Sequence, residues 1–231
     1  MRRIDRIVIL TGAGISAESG LGTFRDEGGL WAQHRIEDVA TPEAFMRDPA
    51  LVHRFYNARR IQAADAQPNA AHQALARLQS DFAGDITLVT QNVDGLHEKA
   101  GAQAIHMHGE LSRALCATCG HRWDAPAEME VGEACPACSA PSARPDIVWF
   151  GEMPYHMDRI IDALHTCDLF AAIGTSGQVY PAAGFVEEAR MAGAATVELN
   201  LRDSDMSHAF EDHITGPASK TVPTWVDRLL S

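Results

Sequence analysis

Four cysteines in two close pairs form the strongest chemical pattern in this chain. Two residues separate Cys116 from Cys119, two separate Cys135 from Cys138, and fifteen lie between the pairs. Zinc binds four thiolates in a tetrahedron, and two short knuckles with this spacing supply them. Because sulfur would fill all four positions, no position is left for a reactive water. The pattern predicts one structural zinc ion per chain, with four unrelated buried thiols as the alternative.

A glycine-rich turn, Gly12-Ala13-Gly14-Ile15-Ser16-Ala17, follows a β-branched apolar run at 6–10. It fits the G-x-G-x-x-G/A dinucleotide pattern. The first glycine makes the tight turn, the second lets the backbone approach a pyrophosphate, and a following helix directs N–H groups at the anion. An ordinary strand-to-helix turn is the alternative. No strand ends in an acidic residue about 20 residues later, so we expect the nucleotide to be held differently from the way dehydrogenases hold it.

Polar residues follow another apolar run, Asp85–Thr90, at once. They are Gln91, Asn92 and Asp94, and His106 and His108 come shortly after. An imidazole suits proton transfer near neutral pH. In an extended segment the two histidines would share one face. Either histidine alone is more often a packed or surface residue, so these residue types give candidates for catalysis and not yet an assignment.

The elements that must position these residues alternate between strand and helix patterns. Short apolar runs with turn residues at their carboxyl ends, typical of parallel strands buried on both faces, lie at 6–10, 85–90, 168–174 and 194–200. Helical patterns lie at 68–82, 155–164 and 181–191. This alternation predicts an α/β fold with helices on both faces of the sheet and ligands at the carboxyl ends of the strands. Residues 114–145, which hold the paired cysteines, interrupt it like an inserted module.

Composition limits the classes of function. The chain has 231 residues, 46% of them hydrophobic, which suits one full-sized domain that needs no disulfides. Its net charge of −12 disfavours binding to nucleic acid and anionic membranes and favours a basic peptide as substrate. The alternative is that the charge serves only solubility. No secretory pattern opens the sequence, and glycines and a proline interrupt the longest uncharged run, 169–186. We expect a cytoplasmic protein that binds neither nucleic acid nor membranes.

Taken together, these patterns resemble the sirtuin family, and in particular its class III bacterial deacylases. The resemblance runs from about Ile7 to the end of the chain. It rests on GAGISAESG at 12–20, TFR at 23–25, TQNVDGLH at 90–97, HGE at 108–110, the four-cysteine module, IVWFGE at 147–152, GTS at 174–176 and NL at 200–201.

The resemblance implies a single sirtuin-type domain over 1–231, built from a Rossmann-like sheet domain and a small zinc-binding module. The large part would comprise about 1–35, 68–113 and 146–231, and the small part a helical segment at about 36–67 and the zinc module at about 114–145. NAD⁺ and an acylated lysine peptide would meet in the cleft between the two parts. NAD⁺ would be consumed as a co-substrate.

The resemblance also implies contacts with NAD⁺, residue by residue. The pyrophosphate and its ribose would lie against Gly12, Ala13, Gly14, Ser16 and Ala17. A cofactor-binding loop would contain Phe24, Arg25 and Trp31. The nicotinamide ribose and carboxamide would be surrounded by Gln91, Asn92, Val93 and Asp94. Phosphate oxygens and the adenosine would also contact Gly174, Thr175, Ser176, Asn200, Leu201, Arg202 and Ala218.

His108, beside Gly109, matches the catalytic base of the family, whereas His106 has no counterpart and is expected to be structural. The implied reaction begins when the acyl oxygen attacks C1′ of the nicotinamide ribose and nicotinamide leaves. His108 then draws a proton from the ribose hydroxyls, the 2′-oxygen attacks the imidate carbon, and water releases lysine and 2′-O-acyl-ADP-ribose. The peptide backbone and the lysine stem would contact Val148, Trp149, Phe150 and Gly151.

Tyr56-Asn57-Ala58-Arg59 resembles the signature of the branch that accepts dicarboxylic acyl groups. A buried carboxylate needs a partner, and Arg59 could bind it in bidentate fashion while the Tyr56 hydroxyl adds a donor. Ala40 matches the small residue that leaves room for a longer acyl group. We therefore expect removal of succinyl, malonyl and also acetyl groups. The alternative is an ordinary i,i+3 pair of Tyr56 and Arg59 on a helix surface, with Arg60 equally solvated.

Two other functions are alternatives for the same residues. The same cleavage of nicotinamide could serve a protein ADP-ribosyltransferase, or the chain could be a zinc protein that senses NAD⁺ without turnover. The presence of His108 together with Asn92 and Asp94 argues against the inert sensor. We expect the protein to be a monomer.

Overall fold

The computed structural model of the chain describes residues 3–22 and 34–231. In chain order its strands are β1 (Arg6–Thr11), β2 (Asp85–Thr90), β3 (Ala104–His106), β4 (Gly109–Cys116), β5 (Arg122–Asp124), β6 (Ala143–Ile147), β7 (Leu169–Ile173), β8 (Ala195–Asn200) and β9 (Asp212–Thr215). Its α-helices are α1 (Ile36–Val39), α2 (Pro42–Arg47), α3 (Pro49–Asp65), α4 (Ala70–Asp81), α5 (Leu96–Lys99), α6 (Met157–Leu164), α7 (Phe185–Met191) and α8 (Ala218–Leu230). Within those two ranges, no helix combines the length and the apolar character needed to span a bilayer.

The centre of the fold is a six-stranded sheet in the order β3-β2-β1-β7-β8-β9. All neighbouring strands in it are parallel. On one face of β1, Ile7 and Ile9 pack with residues of α4 and α8, and on the other Val8 and Leu10 pack with residues of α6 and α7. Helices therefore cover both faces of the sheet, which confirms the predicted Rossmann-like α/β fold.

The short segment after β1 differs from the sequence prediction. Where a helix was predicted after the glycine turn, the chain forms two 3₁₀ turns, Ala13–Ile15 and Ala17–Ser19. The N–H of Ile15 donates to the carbonyl of Gly12, three residues back, at 3.1 Å. The predicted helix is therefore absent from 13–19, and the turn is closed by bonds between residues three apart.

Helices α1 to α3 and strands β4 to β6, with the cysteine pairs, lie outside this sheet and are called the small lobe below. Its antiparallel sheet has the order β5-β4-β6, and β4 begins at Gly109, directly after His108. Helices α1 to α3 pack with the end of β6 around a separate apolar cluster that includes Phe55, Tyr56 and Trp149. Because β4 and β6 leave the large domain beside the carboxyl ends of its strands, the small lobe covers that edge of the sheet.

Glycines allow two loops to pack together at this edge. The N–H of Gly12 donates to the Ile173 carbonyl at 3.0 Å, and the N–H of Gly14 donates to the Gly174 carbonyl at 2.8 Å. Gly174 has φ +62°, and a Cβ there would lie 2.5 Å from the nitrogen of Ile15. Gly14 therefore allows the turn after β1 to pack against the loop after β7 of the same chain.

We predict that Gly174→Ala destabilises the fold more than a substitution that only strains the backbone. Gly101 has φ +92°, and a Cβ added there would meet no other atom within 4 Å, so Gly101→Ala carries the left-handed backbone penalty of about 1–2 kcal/mol alone. Gly174→Ala adds the clash with Ile15. Urea unfolding should show a loss at least about 1 kcal/mol larger for Gly174→Ala. Equal losses would mean that the loops do not need this close contact.

Candidate active site

A cavity of about 1050 Å³ lies at the carboxyl edge of the parallel sheet, between the large domain and the small lobe. It brings together all the residues predicted for NAD⁺, acyl-lysine and catalysis that the structure describes. They are Gly12, Ala13, Gly14, Ser16, Ala17, Ala40, Tyr56, Arg59, Gln91, Asn92, Val93, Asp94, His108, Val148, Trp149, Phe150, Gly151, Gly174, Thr175, Ser176, Asn200, Leu201, Arg202 and Ala218. Phe24, Arg25 and Trp31 lie outside the described residues.

Side chains from two loops cross-link at the floor of the cavity. The Ser16 hydroxyl donates to the Asp94 carboxylate at 2.8 Å. The Asn92 amide donates to the Ser16 hydroxyl and to the Gly12 carbonyl, both at 3.1 Å. Because these bonds fix the polar groups before any ligand arrives, the floor is preorganised for a polar ligand.

A layer of buried polar residues supports this floor, and sequence reasoning missed it. The Thr11 hydroxyl donates to Thr90 at 2.8 Å, and His97 Nε2 lies 2.9 Å from Thr11 Oγ1. Burial, assisted by neighbouring His72, lowers the pKa of His97 to about 3, so its imidazole is neutral. The one signal in the sequence was position, since Thr11 and Thr90 end two adjacent strands.

A second group of polar contacts lies towards the loop after β7. The Gln91 amide donates to the Thr175 hydroxyl at 3.1 Å, and the Asn200 amide donates to the Thr175 carbonyl at 2.7 Å. At the start of α8, Ser219 donates to the Glu18 carboxylate through its N–H at 2.9 Å and its hydroxyl at 2.6 Å. Residues from the ends of β2, β7 and β8 are thereby held around one end of the cavity.

His108 presents one ring nitrogen to the protein and leaves the other for chemistry. Its Nδ1 lies 3.1 Å from the Gln91 carbonyl, which can only accept a hydrogen bond. The proton is therefore assigned to Nδ1, and Nε2 carries the lone pair. Burial lowers the pKa of His108, against a smaller raising effect of the Gln91 carbonyl. Nε2 forms no hydrogen bond with the residues that the structure describes, and a neutral imidazole that lines a cavity in this way is suited to act as a general base at neutral pH.

His106 lies outside the cavity lining and holds the same loop from behind. Its Nδ1 lies 3.1 Å from the Asn92 carbonyl, and its Nε2 lies 3.1 Å from the Glu98 carboxylate. Although burial lowers the pKa of His106, Glu98 outweighs that effect and raises it. The two histidines thus contact consecutive carbonyls of one loop, and only His108 of the two lines the cavity.

The segment after β6 forms one wall of the cavity. It follows β6, which ends at Ile147, and is not itself part of a strand. The N–H of Val148 donates to the His108 carbonyl at 2.9 Å, and the N–H of Phe150 donates to the Ala40 carbonyl at 3.0 Å. Because these two N–H groups already donate inside the protein, a peptide lying beside them would have to donate hydrogen bonds to the carbonyl oxygens of the segment.

Trp149 is fixed from several sides. Its indole Nε1 donates to the Tyr56 hydroxyl at 3.1 Å, and its backbone N–H donates to Glu152 at 2.8 Å. Arg144 binds Glu152 through two hydrogen bonds of 2.6 and 2.9 Å, and its guanidinium lies 3.5 Å from the centroid of the Trp149 ring. Movement of the Trp149 ring would therefore break its hydrogen bond to Tyr56 and its contact with the Arg144 guanidinium.

Tyr56 and Arg59 stand on the cavity face of α3. Tyr56 is 1% exposed, and burial raises its pKa to about 12, so its hydroxyl keeps its proton and can donate it. The Arg59 guanidinium lies 5.9 Å from the centroid of the Tyr56 ring. Arg60 is also buried, and its Nε donates to the Leu111 carbonyl at 2.7 Å. These placements contradict the alternative of a solvated pair on a helix surface.

Gln62 and Ala63 also line the cavity, and sequence reasoning did not single them out. They lie three and four positions after Arg59 on α3, so they share its face. Helical periodicity applied to Arg59 would have found both residues.

The four paired cysteines converge at the end of the small lobe. Their sulfur atoms all lie within 4.8 Å of one another, with 3.7 Å between Cys116 and Cys138 and between Cys119 and Cys135. Tetrahedral zinc with bonds of about 2.3 Å places sulfur atoms about 3.8 Å apart. The four cysteines therefore fit a structural zinc site. The small sheet has only a small apolar cluster of its own, with Ala114, Met129 and Ala143 as its buried residues.

Proteins of one family match this chain in both sequence and fold. The model of the Sir2 family matches residues 12–181. An NAD-dependent protein deacylase from Caulobacter vibrioides is 54% identical over 236 residues, which cover 100% of this chain and 99% of the relative. The structure of a Sir2 homologue bound to NAD superposes with a TM-score of 0.90 at 35% identity, covering 99% of this chain and 92% of that one. A Sir2 protein bound to a deacetylated peptide and 3′-O-acetyl-ADP-ribose has a TM-score of 0.81 at 26% identity, covering 97% and 92%.

We predict that zinc removal unfolds the small sheet, because its own apolar cluster is too small to stabilise it and structural zinc contributes folding free energy directly. Elemental analysis should find one zinc per chain, and Cys135→Ser should abolish it. Hydrogen exchange over 114–147 should then become fast. Cys167→Ala, which removes the fifth cysteine, should keep the zinc. A stable small sheet without metal would contradict the prediction.

Proposed function

This chain belongs to the Sir2 family, and from that premise we propose that it is an NAD⁺-dependent protein-lysine deacylase. Its products would be nicotinamide, 2′-O-acyl-ADP-ribose and the free lysine. One observation carries the proposal: the glycine turn at 12–16, the His108 imidazole and the acyl-pocket residues of α3 line the same cavity. Two reactants bound there would have to lie next to each other.

The chain's own groups fit a bound NAD⁺ molecule. A volume of about 1050 Å³ exceeds what most small-ligand pockets offer, as a dinucleotide with a peptide requires. The adenosine end would lie near Thr175, Asn200 and Ala218, and the nicotinamide end near Asn92 and Asp94. When bound, NAD⁺ supplies the bond between nicotinamide and ribose, whose cleavage makes C1′ available to the acyl oxygen.

His108 would move the proton that the reaction requires. Its Nε2 is the acceptor, since Nδ1 is committed to the Gln91 carbonyl. The lowered pKa keeps the acceptor form dominant at pH 7. The Gln91 bond also fixes the plane of the ring, so the lone pair has one direction in the cavity. After taking a proton from a ribose hydroxyl, the imidazolium would remain stabilised by the same carbonyl.

The wall of the cavity would select the acyl group. We propose that Arg59 pairs with the terminal carboxylate of a succinyl or malonyl chain and that the protonated Tyr56 hydroxyl adds a hydrogen bond. Tyr56 is supported for this role by its contact with Trp149, which fixes the direction of the hydroxyl. Ala40, 3% exposed, contributes little bulk at the wall, so longer chains and the short acetyl group would both fit.

The acidic surface bears on the partners of this enzyme. With a net charge of −12, basic segments around an acylated lysine would be attracted and nucleic acid and anionic membranes repelled. We propose that the protein works as a cytoplasmic monomer on acylated lysines of other proteins. We also propose that the segments at about 36–67 and 114–145 act as the small part of the domain.

We predict that His108→Ala lowers turnover by about 10²- to 10⁴-fold, the usual contribution of a general base, while NAD⁺ binding is retained. Mass spectrometry of a succinyl-lysine peptide incubated with NAD⁺ measures the released lysine and the O-acyl-ADP-ribose. His165→Ala, which alters an exposed histidine paired with Glu188, is the matched control and should behave like the wild type. Undiminished turnover by His108→Ala would remove that residue from its role, and ADP-ribose attached to protein would indicate a transferase instead.

We predict that Arg59→Met impairs desuccinylation far more than deacetylation. Loss of a desolvated, charge-assisted pair costs about 2–4 kcal/mol, which corresponds to about 30- to 1,000-fold in kcat/KM. Acetyl-lysine has no terminal carboxylate, so the acetyl peptide of the same sequence is the internal control. A parallel loss with both peptides would contradict a carboxylate clamp.

A further inference from the structure

The helix that carries the acyl-pocket residues ends without a cap of its own. Helix α3 stops at Asp65, and the following Ala66 is extended, with φ −65° and ψ 142°. Its last turn contains no basic residue. The N–H of Ala66 donates to the Gln62 carbonyl at 3.2 Å, which leaves the later carbonyls of the helix in need of donors.

A single side chain from elsewhere in the sequence supplies those donors. The Lys99 ammonium lies 2.9 Å from the Ala63 carbonyl, 2.8 Å from that of Ala64 and 3.1 Å from that of Ala66. An ammonium group has three N–H donors, so the three carbonyls use all of them. The positive charge also stands at the negative end of the helix dipole.

The residue type matches this task. The 19 basic residues of the chain include only two lysines, Lys99 and Lys220, and all the others are arginines. Three carbonyls that converge on one point suit a compact ammonium, whereas a guanidinium is planar and directs its donors along a fork. The rare lysine thus stands where the geometry calls for one.

Lys99 is itself anchored to the floor of the cavity. It ends α5, whose first N–H, on Leu96, donates to the Asp94 carboxylate at 2.9 Å. His97 of the same short helix contacts Thr11 at the end of β1. Lys99 therefore joins the segment that carries Asn92 and Asp94 to the C-terminal end of α3.

The end of α3 that Lys99 holds is a wall of the acyl pocket. Tyr56, Arg59, Gln62 and Ala63 all line the cavity from this helix. Ala63 has its carbonyl on Lys99, and Arg59 lies one helical turn earlier. Fraying of the last turn would thus displace the part of the wall that would meet the far end of an acyl chain, and would leave His108 and Gln91 in place.

We propose that Lys99 is a positioning residue for acyl selectivity, which sets the distance between the acyl pocket on α3 and the NAD⁺ floor. The proposal rests on the proposed deacylase function. Lys99 does not touch the substrate. It fixes the helix that does, and its effect is therefore larger for a long dicarboxylic acyl group than for acetyl.

The test compares KM and kcat for succinyl- and acetyl-lysine peptides of one sequence. Lys99→Met keeps an unbranched side chain only one atom shorter and removes the charge and donors, and it should raise KM for the succinyl peptide about fivefold or more. The acetyl KM and both kcat values should change less than about twofold. Lys99→Arg should recover part of the succinyl affinity. Arg54→Met, which removes an exposed cation from the same helix, is the matched control.

Each outcome decides a different point. A wild-type protein that releases neither acyl group would refute the proposed function, and the role of Lys99 would fall with it. Wild-type desuccinylation with an unchanged KM in Lys99→Met, or an equal rise for both peptides, would refute the positioning role alone. Hydrogen exchange at residues 62–66, which needs no turnover, should become faster in Lys99→Met and not in Arg54→Met. Unchanged exchange there would show that Lys99 does not cap the helix.

Discussion

The hydrogen bond between His108 Nδ1 and the Gln91 carbonyl, 3.1 Å long, connects the fold of this protein to its chemistry. It fixes the tautomer and the plane of the imidazole, and it joins the loop after β2 to the turn after β3. The adjacent Gly109 has φ +82°, and a Cβ there would lie 2.0 Å from the Asp146 carbonyl. Only glycine lets the small lobe begin so close to the histidine, so the same turn orients the base and positions the lobe that covers the cavity.

The rest of the edge of the sheet serves this arrangement. Parallel strands bring the ends of β1, β2 and β7 to one place, and the glycines after β1 and β7 let their loops touch. Beneath them, the Thr11 hydroxyl contacts both Thr90 and His97 Nε2 in the interior, where unpaired polar groups are costly. A preorganised floor of this kind holds a polar ligand without first having to reorganise.

The sequence predicted the parts of this structure that depend on local patterns. Strand β2 has the predicted bounds because β-branched and apolar residues run without a break from Ile86 to Thr90, with polar residues on either side. Strands β3 and β9 were missed because three or four residues give no periodic signal. The motifs indicated which residues meet in the cavity, but not the hydrogen bonds that orient them. Lys99 shows the reason: its partners lie 33 to 36 residues away, and only the tertiary fold brings them together.

In the proposed reaction, one cavity would hold the glycosidic bond of NAD⁺ and an acyl-lysine amide within reach of one imidazole. A crystal structure with a non-cleavable NAD⁺ analogue and a succinyl-lysine peptide tests it most directly. We expect the acyl oxygen about 3–3.5 Å from C1′ of the ribose, with Nε2 of His108 directed at the ribose hydroxyls. Ligands found in separate spaces, or an imidazole turned so that Nε2 contacts the protein, would contradict it.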